Sequence, residues 1–421
     1  MLRDRAHCPP AKGIEGQLRA VRKPAVRSAG CRRPDHRKGW RSTLGVVCDS
    51  KTIKYSRAPD APELQRAAQL ARLSSGCYRN FQTIATDEGL LYVAEGTTQY
   101  TRWCIADEFD VQGNVTIRHI LVRGVDWKDE KKVDRMQLWR KLAEFWPVPF
   151  ERHSTPQDMP LVVHYGIKQV AEGVWKEVEP YLKSRPRSAR ISCSGHSLGG
   201  AVALLLMCFC RTRLLLPTRE LLPTHAFGSP PVFALEPAGL NRIPFFGNNE
   251  VPRRRDDYSI LGAFNLEESM ARFFVLGKDV VPRCFQVVDP VWMFAKEQPV
   301  IDGLIKLRQR VLGGDALSDT RFLFHMHGLV YFMQWSADRG PEILVVDGAT
   351  AAMVLQEGPS LGADVLASSP LLAIQSLMDH TSVNYAWELT IAARLLAPGD
   401  EAATHASEPM QSSGGNDAAT N

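Results

Sequence analysis

At 421 residues, with 51 basic and 46 acidic side chains, the chain is long enough to bury one large core of roughly 300 residues with appendages. The charge is unevenly spread. Residues 1–48 hold 12 Lys and Arg against Asp4, Glu15 and Asp35, a net of +9, and residues 49–421 hold 39 basic and 43 acidic side chains, a net of −4. The basic balance therefore belongs to the leader, and a nucleic-acid partner is not indicated, since that needs its charge on a folded face.

Residues 1–50 are Arg-rich, poor in acids and interrupted by Pro and Gly, the composition of an organelle transit peptide. A secretory signal would need an apolar core, which is missing, and a plain disordered extension is the alternative because serines are few. Leu44–Cys48 is the expected processing region. Nine cysteines without a CxxC pair suggest neither a disulfide framework nor a zinc site, so a reducing compartment is expected, with no metal and no cofactor. The longest apolar run, Ala201 to Cys210, is far shorter than the roughly 20 residues that span a bilayer. Membrane contact is expected to be peripheral.

The folded part is expected over residues 51–396. Residues 62–75 place Leu64, Ala67, Ala71 and Leu73 near one face of a first helix. Three β-like runs follow at 90–95, 102–109 and 116–122, parted by turns that contain Gly. Val133, Met136, Trp139, Leu142, Phe145 and Trp146 then recur at three- and four-residue spacing, an amphipathic helix ended by Pro147, Pro149 and Pro156. A helix over 166–182 leads to a strand at 191, an apolar helix and a short strand from Thr224. Strand, helix, strand, helix is the rhythm of a parallel sheet, so the fold class is α/β. An irregular insertion at about 235–268 precedes a strand at 272–276, a strand pair at 322–334 and 342–347, and a last helix from about 370 to 396. Residues 397–421, rich in Ser, Gly, Ala, Asp and Asn, read as a disordered tail.

Ile191-Ser-Cys-Ser-Gly-His-Ser197-Leu-Gly-Gly200 is a strand running into a Gly-x-Ser-x-Gly turn and out into an apolar helix. Such an elbow holds a serine oxygen clear of the backbone, where a histidine can activate it. Gly195 and Gly199 fit because a side chain at either would collide as strand and helix pass. Ser197 then needs a base, and the base a carboxylate, each from a strand end. Asp279, after the apolar strand, is the best carboxylate, with an Asx turn as the alternative. His380 is chosen as base from eleven histidines because Ser, acid, His is the α/β-hydrolase order. His325 and His327 are its rivals, alternating on one side of an expected strand, and His196 is expected to position the turn. The oxyanion donors are the amides of Leu198 and, after Gly124, of Val125.

These segments resemble the class 3 lipase family, abundant in plants and algae. Gly195–Gly200 matches its elbow, Arg123-Gly124-Val125 its Arg-Gly-Thr oxyanion turn, and Val163-His-Tyr-Gly166 its Val-His-x-Gly segment. Phe227-Gly-Ser-Pro230, Asp279-Val-Val-Pro282 and Asp379-His380 with Tyr385 follow in the family's order. The resemblance implies an α/β-hydrolase with a mostly parallel sheet and a lid-like insertion, for which the 133–146 helix is the candidate and a core helix the alternative. It implies a carboxylic-ester hydrolase acting on glycerolipids at a membrane or droplet surface, with Ser197 as nucleophile, His380 as base and Asp279 behind it. With the leader, it points to a plastid, a mitochondrion or the cytoplasm being the alternatives. Val125 departs from the family's Thr or Ser. A lipase-like binding or signalling scaffold and a soluble small-ester carboxylesterase are the competing functions.

Overall fold

The helix that leaves the Ser197 turn is buried at every position from Leu198 to Cys210. A helix with no polar face is stable only when the chain covers it on all sides. The computed structural model of the protein describes residues 59–126, 138, 141–142, 144, 147–151, 161–235, 259–277, 279–283, 324–336, 340–348, 351 and 378–396. The leader and tail expected at 1–50 and 397–421 lie outside the described residues.

The first helix, α1 (Ala61–Gly76), is capped by Asp60, whose side chain accepts the Glu63 amide at 2.9 Å. Its predicted apolar residues Leu64, Ala67, Ala71 and Leu73 are all buried. After a short α2 (Phe81–Asp87) come β1 (Leu91–Thr97), β2 (Arg102–Phe109) and β3 (Val115–Val122), each antiparallel to the next. Then follow β4 (Pro147–Pro149), β5 (Leu161–His164), α3 (Tyr165–Lys183), β6 (Arg190–His196) and the buried α4 (Leu198–Thr212). The chain continues through β7 (Thr224–Phe227), β8 (Phe233–Leu235), β9 (Ala271–Leu276), β10 (Leu329–Ser336), β11 (Gly340–Asp347) and α5 (Ser382–Leu396).

Eight strands form one sheet in the order β1-β2-β3-β6-β7-β9-β10-β11. Its inner strands β3, β6, β7, β9 and β10 run parallel, and only its edges are antiparallel. Parallel strands are buried on both faces, which requires apolar residues on both sides of the pleat. The sequence supplies them by alternation: Phe273, Val275, Val330 and Phe332 join the core with α3 and α4, while Phe274, Leu276, Tyr331 and Met333 join the core with α1 and α5. Strands β4, β5 and β8 form a second, antiparallel sheet. A mostly parallel sheet with helices on both faces and the serine turn between β6 and α4 is the α/β-hydrolase fold.

Two expectations change. The strand expected from 322 begins only at Leu329, so His325 and His327 precede it, and His325 makes an isolated bridge with Phe233. The last helix is not continuous: Met378 and Asp379 are helical, His380 lies in a turn, and α5 starts at Ser382. Thr381 explains the restart, since its hydroxyl accepts the Asn384 amide at 3.4 Å as a helix cap does. The short strand from Thr224 stops at Phe227, before the Gly228-Ser-Pro-Pro segment as expected, and Phe233–Leu235 pairs in the other sheet.

Of the amphipathic helix expected at 133–146, most lies outside the described residues, including whatever bears on a lid. Leu138 is buried in the main core, Leu142 packs against it, and the Gly166 amide donates to the Glu144 carbonyl at 3.0 Å. Of the 235–268 insertion, the described residues form a short 3-10 turn, Leu261–Phe264, with a second, Glu268–Met270, leading into β9. The five described cysteines are buried thiols.

Candidate active site

Ser197 sits between β6 and α4 with φ 58° and ψ −132°, a backbone conformation that costs a non-glycine residue about 1–3 kcal/mol. The surroundings hold it there. Its amide donates to the Phe227 carbonyl at 2.8 Å, and its own carbonyl accepts the Gly200 amide at 2.9 Å. Strand and helix pass so closely that a β-carbon on Gly195 would strike the Gly199 carbonyl, and one on Gly199 the Val122 carbonyl. Leu198 opens α4, and the first amides of a helix have no carbonyl within it to pair with.

The turn points Ser197 at His380. Ser197 Oγ is 2.8 Å from His380 Nε2, and His380 Nδ1 lies 2.9 Å from both carboxylate oxygens of Asp279. These residues come from three places: the end of β6, the loop three residues past β9, and the turn before α5. The parallel sheet brings the first two together because both follow strand ends at the same edge. Asp279 is fully buried and needs partners beyond the imidazole. It has them: Tyr385 donates its hydroxyl to Oδ2 at 2.7 Å, and the Val281 amide donates to Oδ1 at 2.9 Å. Tyr385 is itself fixed, since its oxygen accepts the Leu276 amide at 2.9 Å. Burial holds its hydroxyl well above the ordinary phenol range, with the Asp279 charge adding to the effect, so it stays a donor.

Residues 123–126 follow the end of β3 and run beside the serine. A β-carbon on Gly124 would lie 2.6 Å from that of Ser197. The Gly124 amide is already used, donating to the Tyr78 hydroxyl at 2.8 Å. Val125 therefore supplies the next amide of this loop, and its half-buried side chain packs on the main core. Arg123, the first residue of the motif, holds Asp126 at 3.1 Å.

His196 is buried beneath the turn. Its Nδ1 lies 2.8 Å from the Tyr78 hydroxyl and its Nε2 2.7 Å from the His380 carbonyl oxygen. His164, from the Val-His-x-Gly segment, is a helix cap: its Nδ1 accepts the Ile167 amide at 3.3 Å. His325 and His327 face each other with ring centres 6.4 Å apart, and neither joins the Ser197 group. Among the described residues no cluster of His, Cys, Asp and Glu has the makings of a metal site, and no helix is long and apolar enough to cross a membrane. Sequence reasoning missed Tyr78 altogether. It lies just beyond the end of α1, 46 residues before Gly124, and nothing local marks it.

Residues 132–288 match the family model described as lipase (class 3). The resemblance to class 3 lipases is borne out over that stretch. It contains Ser197 and Asp279 and ends before His380. Two Arabidopsis thaliana proteins are similar to this chain: phospholipase A1 PLIP2, chloroplastic, 29% identical over 36% of this chain and 18% of its own length, and phospholipase A1 PLIP1, chloroplastic, 25% identical over 49% and 27%. The chain thus matches only 18% and 27% of the length of these two relatives. Two solved lipases are also similar to the chain. The lipase of Rhizopus microsporus var. chinensis is 15% identical, with TM-score 0.43 over 77% of this chain and 95% of that one. The Rhizomucor miehei triacylglyceride lipase is 18% identical, with TM-score 0.41 over 70% and 88%.

Proposed function

We propose that the chain is a serine carboxylic-ester hydrolase acting on glycerolipids, with Ser197, His380 and Asp279 as its triad. The observation that carries this reading is the continuous hydrogen-bonded path from Ser197 Oγ through the His380 ring to Asp279. An unassisted serine hydroxyl is a poor nucleophile near neutral pH, and such a path removes its proton as it attacks. Ser197 Oγ bonds to the ester carbonyl carbon while its proton passes to His380 Nε2. The resulting oxyanion is held by the amides of Leu198 and Val125. The C–O bond to the alcohol then breaks, the departing oxygen takes the proton back from His380, and an acyl-serine remains. Water, deprotonated by the same histidine, releases the fatty acid and restores Ser197.

Asp279 keeps Nδ1 protonated, so Nε2 is the free base that faces the serine. The names of the two Arabidopsis relatives favour a polar glycerolipid as substrate, with hydrolysis of a phospholipid acyl ester the first activity to seek. Their chloroplastic designation, with the Arg-rich leader, favours a plastid setting and peripheral contact with a membrane. A catalytically idle scaffold is disfavoured because each triad atom has its partner.

The test is to incubate the full chain with phosphatidylcholine, a galactolipid and a triacylglycerol beside Ser197→Ala, and to measure fatty-acid release. Release from phosphatidylcholine that disappears in the variant is the expected result. Release that persists in Ser197→Ala rejects the triad, and absence of release from every lipid in the panel, with hydrolysis of a soluble ester, favours the small-ester carboxylesterase.

A further inference from the structure

We propose that Tyr78 and His196 form a positioning relay that ties the oxyanion loop to the histidine turn, so that the Val125 amide and the His380 ring meet the same carbonyl carbon together. The inference rests on reading Ser197, His380 and Asp279 as the triad. Its atoms form one chain in which every donor and acceptor is determined. The His380 carbonyl can only accept, so the proton on His196 is at Nε2, the atom 2.7 Å away. Burial first, and the neighbouring His380 second, hold the His196 ring far below the ordinary imidazole range, so it is neutral and its Nδ1 is an acceptor. The Tyr78 hydroxyl therefore donates to Nδ1 at 2.8 Å, and its oxygen accepts the Gly124 amide at 2.8 Å. No other assignment of protons satisfies all four groups.

The two ends of this chain are irregular backbone. Residues 123–126 continue past the end of β3, and His380 lies in the turn between helical Asp379 and α5. Each end carries one half of the chemistry: Val125 the oxyanion donor next to the fixed Gly124 amide, His380 the base on the same residue as the fixed carbonyl. Misplacement of a reacting group by about 1 Å costs on the order of 10²-fold in rate. A link of three hydrogen bonds between them removes that freedom. The neutral tautomer serves a second need. The His196 and His380 ring centres are 4.9 Å apart, and His380 becomes a cation as Ser197 attacks. A second cation there would oppose it, and the buried, proton-locked ring supplies none.

Tyr78→Phe removes one oxygen and leaves the ring, so the fold should persist, as a melting curve of the full chain would show. On a soluble p-nitrophenyl ester, kcat should fall roughly 10- to 100-fold with KM within about twofold, because the relay acts on transition-state geometry and not on ester binding. His196→Ala should fall similarly. His196→Gln, which can still donate to the His380 carbonyl and accept from Tyr78, should recover most of that loss. The Tyr78→Phe/His196→Ala pair should be no slower than the worse single variant, since both cut one chain. A Tyr78→Phe enzyme with wild-type kcat, or losses that multiply in the double variant, would overturn the relay. Labelling with a fluorophosphonate separates the two readings. Wild type that takes the label at Ser197 yet is indifferent to Tyr78→Phe rejects the relay alone, and wild type that neither takes it nor hydrolyses the ester rejects the triad.

Discussion

Gly228 is packed so closely on Asp279 that a β-carbon at residue 228 would lie 2.7 Å from the carboxylate Oδ2. The same β-carbon would stand 3.0 Å from the Tyr385 ring and 3.2 Å from His380 Nδ1, and the residue holds φ at +58°. The glycine after Phe227 is thus the floor on which Asp279, His380 and Tyr385 converge. Its amide, which donates to the Phe274 carbonyl at 2.9 Å, keeps that floor attached to β9.

Gly228→Ala should therefore damage the site more than the fold. The positive φ costs on the order of 1–3 kcal/mol for alanine, and relief of the contact must push Asp279 away from His380. Turnover should fall at least tenfold while unfolding shifts by only a few degrees, a comparison made by kinetics and calorimetry on one preparation. Wild-type turnover would show that the carboxylate can yield without cost.

Tyr385→Phe isolates a different support. It removes the hydroxyl that donates to Asp279 at 2.7 Å and leaves the Leu276 amide without the oxygen it reaches at 2.9 Å. Leaving buried groups unpaired costs about 1–3 kcal/mol each. Both stability and kcat should decline, and the two effects can be divided by also testing Asp279→Ala, in which Tyr385 loses its partner as well. If Tyr385→Phe lowered activity by the same factor in an Asp279→Ala background, the tyrosine would not be acting through Asp279.

Much of this arrangement was legible in the chain, and the reason is chemical. Ser197 was visible because its turn needs glycines on both sides, and Asp279 because an apolar strand ends just before it. His380 was visible only through its order in the chain and the resemblance that followed. The break of the last helix at His380 was not, although Thr381 is the capping residue that could have shown it; the apolar positions on either side of the break hid the stop. Tyr78 was beyond reach. Its hydroxyl matters through partners 46 and 118 residues away, and a lone tyrosine beyond a helix end has no local signature.

The buried histidines make stability sensitive to mild acid. Burial lowers His164 to about 3, and burial with the nearby Arg272 charge lowers His225 to about 3, against an ordinary value of 6.5 in the unfolded chain. Below 6.5 the unfolded chain takes up protons that the folded one refuses. Stability is therefore complete above about 6.5 and is lost as pH falls toward 3. Each histidine adds a slope of about 1.4 kcal/mol per pH unit well inside that window. Denaturant melts at pH 7.5, 6 and 5 should show at least two such slopes, because burial lowers His119 and His196 too. His225→Phe, which can keep the ring stacked on Phe274, should remove one of them. A midpoint that does not move between pH 7.5 and 5 would contradict the neutral, buried state of these rings.

Val125 is where the loop departs from the Arg-Gly-Thr turn of the class 3 lipases, and the structure narrows what its replacement should do. The Gly124 amide is committed to Tyr78, so Val125 offers the loop's next backbone donor, and a threonine there would add a hydroxyl beside it. Valine and threonine have nearly the same shape, and the side chain is half-buried against the main core, so packing should change little, while the hydroxyl can still meet solvent when no ester is bound. A bond to the oxyanion strengthens as charge develops on it, so the gain belongs to the transition state. Loss of one such donor elsewhere costs about 3 kcal/mol, and a donor added to a site shaped without it should recover only part of that. Val125→Thr should thus raise kcat several-fold on a soluble ester with KM nearly unchanged. A fall in KM without a rise in kcat would mean that the hydroxyl binds the ground-state ester and not the developing charge.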